Sequence, residues 1–141
     1  MDPVIVREKL ESLRRCLTRV ESKRPASMAE LGSDPDLQDI IVLNLTRAVQ
    51  VCVDIGTHLL SSTESPSPAS MGEVFVELAR MGTISDATAT AMKKAIGFRN
   101  IAVHNYGVIN WAIVHVISQR HLEDFRQFAR EVSRMLPDAG A

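Results

Sequence analysis

Residues 34–61, DPDLQDIIVLNLTRAVQVCVDIGTHLLS, decide the fold of this chain. Ser33 or Asp34 can cap a helix, and Pro35 suits the first turn because proline loses no helical hydrogen bond there. The apolar side chains that follow, from Ile40 to Leu60, cover nearly the whole circumference of the predicted helix. A helix that is apolar on most sides either lies at the centre of a bundle or is shared with a second subunit. This stretch therefore predicts a central helix and motivates the expectation of a twofold homodimer.

Four further helices are predicted around the central one. Apolar side chains recur at steps of three and four in the first and last of them, which is typical of helices with one buried face. Ser70 and Glu73 have the spacing of a capping box at the start of a short helix. The four helices cover residues 3–22, 70–81, 86–104 and 110–136, and residues 23–32 and 61–70 are interpreted as connectors. No alternating strand pattern is present, so we expect an all-α fold, an up-down antiparallel bundle of about five helices in a single domain, 1–141.

The overall charge argues against a protein that holds nucleic acid by bulk electrostatics. The formal net charge is −1 and the pI is about 6.4, whereas such proteins usually have a clearly basic domain. The polar face of the first helix is nevertheless basic and carries Arg7, Arg14, Arg15 and Arg19. The favoured interpretation of that face is a solvated surface, with a surface for RNA or a partner as the alternative.

The two cysteines and the distribution of apolar residues indicate in which cellular compartment the protein is located. Cys16 and Cys52 lie among apolar neighbours without metal or redox spacing, so we interpret them as reduced core thiols. No uninterrupted apolar run reaches the roughly 18 residues that a membrane span requires. The sequence therefore predicts a soluble, cytoplasmic protein without a membrane segment.

Residues 99–106, RNIAVHNY, carry the side chains best suited to chemistry on a phosphate. Arg99 offers a permanently charged fork that matches phosphate oxygens, and His104 can give or take a proton near neutral pH. The pair fits metal-free phosphodiester cleavage. On an ideal helix the two residues lie about 140° apart, so one helix does not aim both at a single point. Either the helix loosens near His104, or the same segment of a twofold partner completes the site.

Together, Arg99, Asn100, His104 and Tyr106 resemble the signature of the HEPN superfamily, and specifically of its HepT branch of toxin ribonucleases. The long apolar helix, with Leu45, Arg47, Ala48 and the run IGTHL at residues 55–59, extends this resemblance over most of the chain. The resemblance implies composite active sites at a dimer interface and RNA as the substrate. It also implies that a cognate MNT-type nucleotidyltransferase antitoxin modifies Tyr106 with AMP. Asn105 stands where the family frequently has Asp.

The expected reaction is attack of an RNA 2′-hydroxyl on the adjacent phosphorus, which yields a cyclic phosphate and a free 5′-hydroxyl. His104 would act as general base or acid and Arg99 would stabilise the developing charge. Asn100 would orient the phosphate or the histidine, and Lys93 and Lys94 would bind RNA. AMP on Tyr106 would add negative charge and bulk where an RNA phosphate must lie.

No cofactor and no metal site are predicted. The remaining histidines are scattered, and His115 and His121 lack the i, i+4 spacing that lets two imidazoles share a metal on one helix face.

Two other hypotheses remain open at this point. One is a noncatalytic helical binding module that uses the apolar central helix and the motif to hold a nucleotidyltransferase partner or a nucleotide. The other is a structural bundle subunit in which the motif is coincidental. An RNA cleavage assay separates the first from the ribonuclease.

Overall fold

The computed structural model describes residues 1–138 of the chain, and within that range it contains helices and no strand. The helices are α1 (Pro3–Lys23), α2 (Met28–Ser33), α3 (Pro35–Ser61), α4 (Met71–Arg80), α5 (Asp86–His104), α6 (Trp111–Val116) and α7 (Leu122–Ser133). A 3-10 turn at Tyr106–Val108 follows α5, and a π-helical turn at Ile117–His121 joins α6 to α7. The expectation of an all-α helical bundle is confirmed.

Helix α3 is the central element, as its apolar circumference predicted. It contacts α1, α2, α4, α5 and α7. The backbone N–H of Asp2 donates to Nε2 of His58 at 3.0 Å, which places the start of α1 beside the end of α3 and makes the two helices antiparallel. Buried side chains from Val6 to Val132 form one continuous core. The bundle therefore holds α5, which carries the motif, against a rigid central helix.

Several helix starts are capped by side chains, and those of Ser70 and Asp34 are at positions that the sequence predicted. The side chains of Ser70 and Ser85 accept the backbone N–H groups three residues further on, at 3.3 and 3.1 Å. Asp34 caps α3 and Asn110 caps α6 in the same way. Each cap satisfies an N–H group that has no partner within its own helix.

The interpretation of residues 23–32 as a plain connector is wrong, because α2 lies there. Ser27 caps it and Leu31 is its buried residue. A six-residue helix with a single buried side chain is too short to produce a periodic apolar pattern. The expected antiparallel bundle is otherwise retained.

The last helix departs from the expected uninterrupted span over residues 110–136. It ends at Ser133, and its π-helical turn contains the fully buried Ser118. The side chain of Arg24 donates to the Ser118 carbonyl at 2.8 Å, and Gln119 donates to the Pro25 carbonyl at 2.9 Å. Because these partners lie far away in sequence, the local pattern could not predict the irregular turn.

The long apolar helix also qualifies the expectation about membranes. By length and composition alone α3 could cross a membrane, with a mean hydropathy of 1.4 over its most apolar window, of which 56% is buried in the bundle. The core helix of a soluble protein passes the same test. The two cysteines are free, as predicted: Cys52 is buried and Cys16 half-buried. Burial raises the pKa of both thiols.

Candidate functional site

The motif lies at the C-terminal end of α5, which stays regular through His104. The backbone N–H of Asn105 donates to the Ile101 carbonyl at 2.8 Å, a normal helical spacing of four residues. The helix therefore does not loosen near His104, which was one of the two ways expected to bring the side chains of Arg99 and His104 together. Arg99 and His104 project from the helix about 140° apart, as on an ideal helix.

Helical geometry sorts the candidate RNA-binding residues into two groups. Lys93, Asn100 and His104 fall within about 40° of one another around the axis, and all three are exposed. Lys94 instead lines a groove between α5 and the last helices. The structure thus brings Lys93 and Asn100 to the side of His104 and leaves Lys94 on another face.

Arg99 has hydrogen-bonding capacity that the rest of the described chain does not use. Its side chain is half-buried, and Nη1 donates to Oδ1 of Asn100 at 3.3 Å. Nε is buried without a hydrogen-bond partner among residues 1–138, and no carboxylate in that range lies within 4.0 Å of the guanidinium. Planar guanidinium donors match phosphate oxygens bidentately. The terminal amino groups of Arg99, which form no ion pair in that range, are therefore available to an anionic ligand, whereas the buried Nε is not accessible to one in this arrangement.

Tyr106 begins the 3-10 turn and reaches across to α3. Its hydroxyl donates to Oδ1 of Asp39 at 2.6 Å, and its ring packs edge-on against Trp111 with the ring centres 5.9 Å apart. Partial burial and the neighbouring Asp39 carboxylate raise the pKa of Tyr106 to about 12. The phenol is therefore neutral at physiological pH, and it remains 41% exposed.

Sequence reasoning missed Asp39. The only local signal is an acidic residue directly before the apolar run that begins at Ile40, and Asp36 is acidic as well three residues earlier. Its partner lies 67 residues away, so no periodic pattern connects the two.

An apolar surface adjoins the motif. Ile101, Val108 and Ile113 are 47%, 62% and 55% exposed and line a groove of about 640 Å³ between α5 and α6. Val103, beside His104, is 49% exposed. Contiguous exposed apolar side chains of this kind usually mark an interaction surface.

The other histidines lie apart from the motif. His58 accepts the Asp2 N–H, and Nδ1 of His121 lies 3.0 Å from Asp124. Among residues 1–138, no three histidine, cysteine or acidic side chains come close enough together to hold a metal ion.

Comparisons with known proteins agree with this fold. The sequence profile described as ribonuclease HepT-like matches residues 8–132. The chain is 36% identical over 128 residues to the mRNA nuclease HepT of Shewanella oneidensis, with 91% of this chain and 95% of that protein covered. It is 26% identical over 136 residues to the tRNA nuclease HepT of Aphanizomenon flos-aquae, with 96% and 92% covered.

A solved structure supports the same assignment. The bundle matches a tri-AMPylated HEPN toxin of Shewanella oneidensis in complex with an MNT antitoxin, with a TM-score of 0.87 and 34% identity. The match covers 95% of this chain and 99% of that one. A profile that spans most of the sequence, a relative above 30% identity and a shared fold give one answer: this chain belongs to the HepT-like ribonuclease family.

Proposed function

We propose that this protein is the toxin of a toxin–antitoxin pair and that it cleaves RNA without a metal ion, with Arg99 and His104 as its catalytic residues. The observation that best supports this proposal is the half-buried Arg99, which has unused hydrogen-bond donors and lies on the helix that ends at His104. The chain also belongs to a family of ribonucleases. An RNA phosphate supplies the acceptors that Arg99 lacks.

His104 moves the protons of the reaction. As base, its imidazole takes the proton of the RNA 2′-hydroxyl while that oxygen forms a bond to phosphorus. The bond from phosphorus to the 5′-oxygen breaks, and the leaving oxygen takes a proton from solvent water, to which the imidazolium of His104 then returns the proton that it holds. Arg99 binds the non-bridging oxygens and stabilises their increased charge in the transition state. Asn100 and Lys93, on the side of His104, hold the neighbouring RNA, whereas Lys94 contacts RNA from the adjoining groove.

A twofold homodimer completes the site. Because α5 is regular through His104, the positions of Arg99 and His104 lie about 140° apart around the helix, and this separation favours a site in which Arg99 of one protomer meets His104 of its partner across a symmetric cleft. The exposed apolar side chains Ile101, Val108 and Ile113, which line one groove, provide the surface that such a dimer buries.

Tyr106 is the regulatory position in this proposal. A cognate MNT-type nucleotidyltransferase antitoxin transfers AMP to its hydroxyl, and the added phosphate and nucleoside then occupy the RNA path. The exposure of Tyr106 and the AMPylated state of the related Shewanella toxin support this role. We further propose that the protein acts in the cytoplasm, together with its RNA substrate and antitoxin, and that residues 1–141 form one domain, which the continuous core of the described residues supports.

A noncatalytic binding module is less well supported. That alternative uses the apolar faces of the central helix as a docking surface. Most apolar side chains of α3 are buried against other helices of the same chain, so those faces are already occupied.

Cleavage of a mixed RNA pool in EDTA tests the proposal, after intact mass has established that the purified protein carries no AMP. We expect wild-type protein to leave cyclic phosphates, and we expect Arg99→Ala and His104→Ala each to lose about 100-fold or more of the rate. Arg134→Ala, at an exposed position after α7, is the matched control and retains activity. Loss of wild-type cleavage in EDTA, or full activity of both motif variants, would contradict the proposal.

A further inference from the structure

We propose that the groove between α1 and α3 binds the phosphodiester backbone of the RNA that leads away from the cleavage site. This inference rests on the proposed ribonuclease function and assigns further residues to substrate binding. Arg15, Arg19 and Arg47 supply the positive charge of the groove. Two of the three belong to the basic face of the first helix.

The groove is basic, and only one of its three arginines has a carboxylate nearby. It has a volume of about 710 Å³, and its lining contains the three arginines and no carboxylate. Arg15 has one carboxylate within 4.0 Å, that of Glu11 at 3.9 Å, and Glu11 is bound mainly to Arg14. Arg19 and Arg47 have no carboxylate within that distance in the described part of the chain. The charged side chains that line the groove are therefore all basic although the whole chain carries −1.

The groove runs along α3 and begins beside the residue that binds Tyr106. Asp39, which binds Tyr106, is followed at steps of four by Leu43 and Arg47, and residues four apart share one helix face. At 1.5 Å per residue, Arg47 lies about 12 Å along the axis from Asp39. Because α1 runs antiparallel to α3, Arg19 lies at the end of the groove nearer Asp39 and Arg15 lies further along. The arginines thus follow one path away from Tyr106.

Single-stranded RNA suits this surface better than a purely apolar or purely charged partner would. Guanidinium groups bind phosphate oxygens bidentately. Leu43, 49% exposed between the basic side chains, offers apolar contact to a ribose or base. A local groove of this kind also explains how a chain with a slightly negative net charge can hold a polyanion.

The salt dependence of binding tests the proposal. The probe is a fluorescein-labelled 2′-O-methyl oligouridine, which lacks the attacking hydroxyl, and binding is followed by anisotropy in increasing KCl. For single strands, log K falls against log salt with a slope of about −0.7 for each phosphate neutralised. We expect Arg19→Gln to reduce the slope by about 0.7 and Arg19→Gln with Arg47→Gln by about 1.4. Arg14→Gln, on the same helix but outside the groove, keeps the wild-type slope.

The possible outcomes separate this inference from the proposed function. Unchanged affinity and slope in the double variant would overturn it. The inference would also be overturned if the double variant bound RNA as the wild type does but a co-expressed nucleotidyltransferase no longer suppressed its toxicity. The groove would then be a protein-binding surface. A weaker, flatter salt dependence supports the groove even if His104→Ala still cleaves unmodified RNA, a result that would overturn only the catalytic assignment.

Discussion

Replacement of Asp39 by Asn tests the contact between the motif and the central helix. The substitution removes the negative charge and keeps an oxygen that can accept the Tyr106 hydroxyl. The pKa of Tyr106, about 12 in the wild type, is raised by burial first and then by the hydrogen bond and charge of Asp39. We therefore expect Asp39→Asn to lower this pKa while leaving it above the ordinary value of 10.0, because the burial remains.

The same contact predicts a pH-dependent stability. A shift from 10.0 to about 12 is two units, equivalent to at most about 2.7 kcal/mol. Tyr106 is 41% exposed and solvent screens the carboxylate, so we expect about 1 kcal/mol. The unfolded chain loses the phenolic proton first as the pH rises. The contribution is therefore complete below about pH 10 and is lost between about pH 10 and 12.

The assay is a phenolate absorbance titration in the near ultraviolet. Tyr106 is the only tyrosine in the sequence, so the signal reports this residue alone. Asp54→Asn, on the same helix and bound to Gln50, is the matched control and leaves the titration unchanged. An identical Tyr106 pKa in wild type and Asp39→Asn would refute the contact.

Three further perturbations follow from the packing. Glu131 is 5% exposed, and burial alone would raise the pKa of its carboxyl group, but hydrogen bonds from Thr88, Ser85 and Gln127 lower that pKa overall. We therefore expect Glu131→Gln to reduce the free energy of unfolding, measured in urea at pH 7, by about 1–3 kcal/mol. The loss should become smaller as the pH falls through the carboxyl pKa. A Cβ at Gly56 would lie 2.4 Å from Cγ1 of Val74, so Gly56→Ala should lower the stability of the fold by about 1–3 kcal/mol. Gly97 has open space around it, so Gly97→Ala should instead raise the stability by about 0.5–1 kcal/mol. Equal melting temperatures for the two variants would contradict this prediction. Ile113→Asp should give a monomer in analytical ultracentrifugation that no longer cleaves RNA, and a stable, active dimer would exclude this surface as the interface.

The sequence predicted most of the fold because the fold depends on local signals. The apolar circumference of α3 identified the central helix, and the Asp34–Pro35 pair and the Ser70 cap identified two helix starts. Features that depend on distant partners were missed. The π-helical turn is held by side-chain contacts to residues before α2, and α2 itself is too short for a periodic signal.

The candidate site was predicted to a similar extent. Arg99, Asn100, His104 and Tyr106 were identifiable as a motif because they lie within eight residues of one another. The contact between Asp39 and Tyr106 and the α1–α3 groove each bring together residues that are remote in sequence. The role of these charged side chains could therefore be recognised only from the packed helices. Lys94 illustrates the limit of the pattern: it neighbours Lys93 in sequence, but the helix turns it towards another groove.

Subunit mixing tests most directly the claim that Arg99 and His104 form a shared RNA-cleaving site. Arg99→Ala and His104→Ala proteins are each assayed alone and again after unfolding and refolding together in equal amounts. If each site combines Arg99 of one protomer with His104 of its partner, half of the dimers are mixed and each mixed dimer regains one of two sites. We therefore predict that each variant alone is inactive and that the refolded mixture cleaves RNA at about one quarter of the wild-type rate. A mixture as inactive as its parents, or activity in either parent alone, would contradict it.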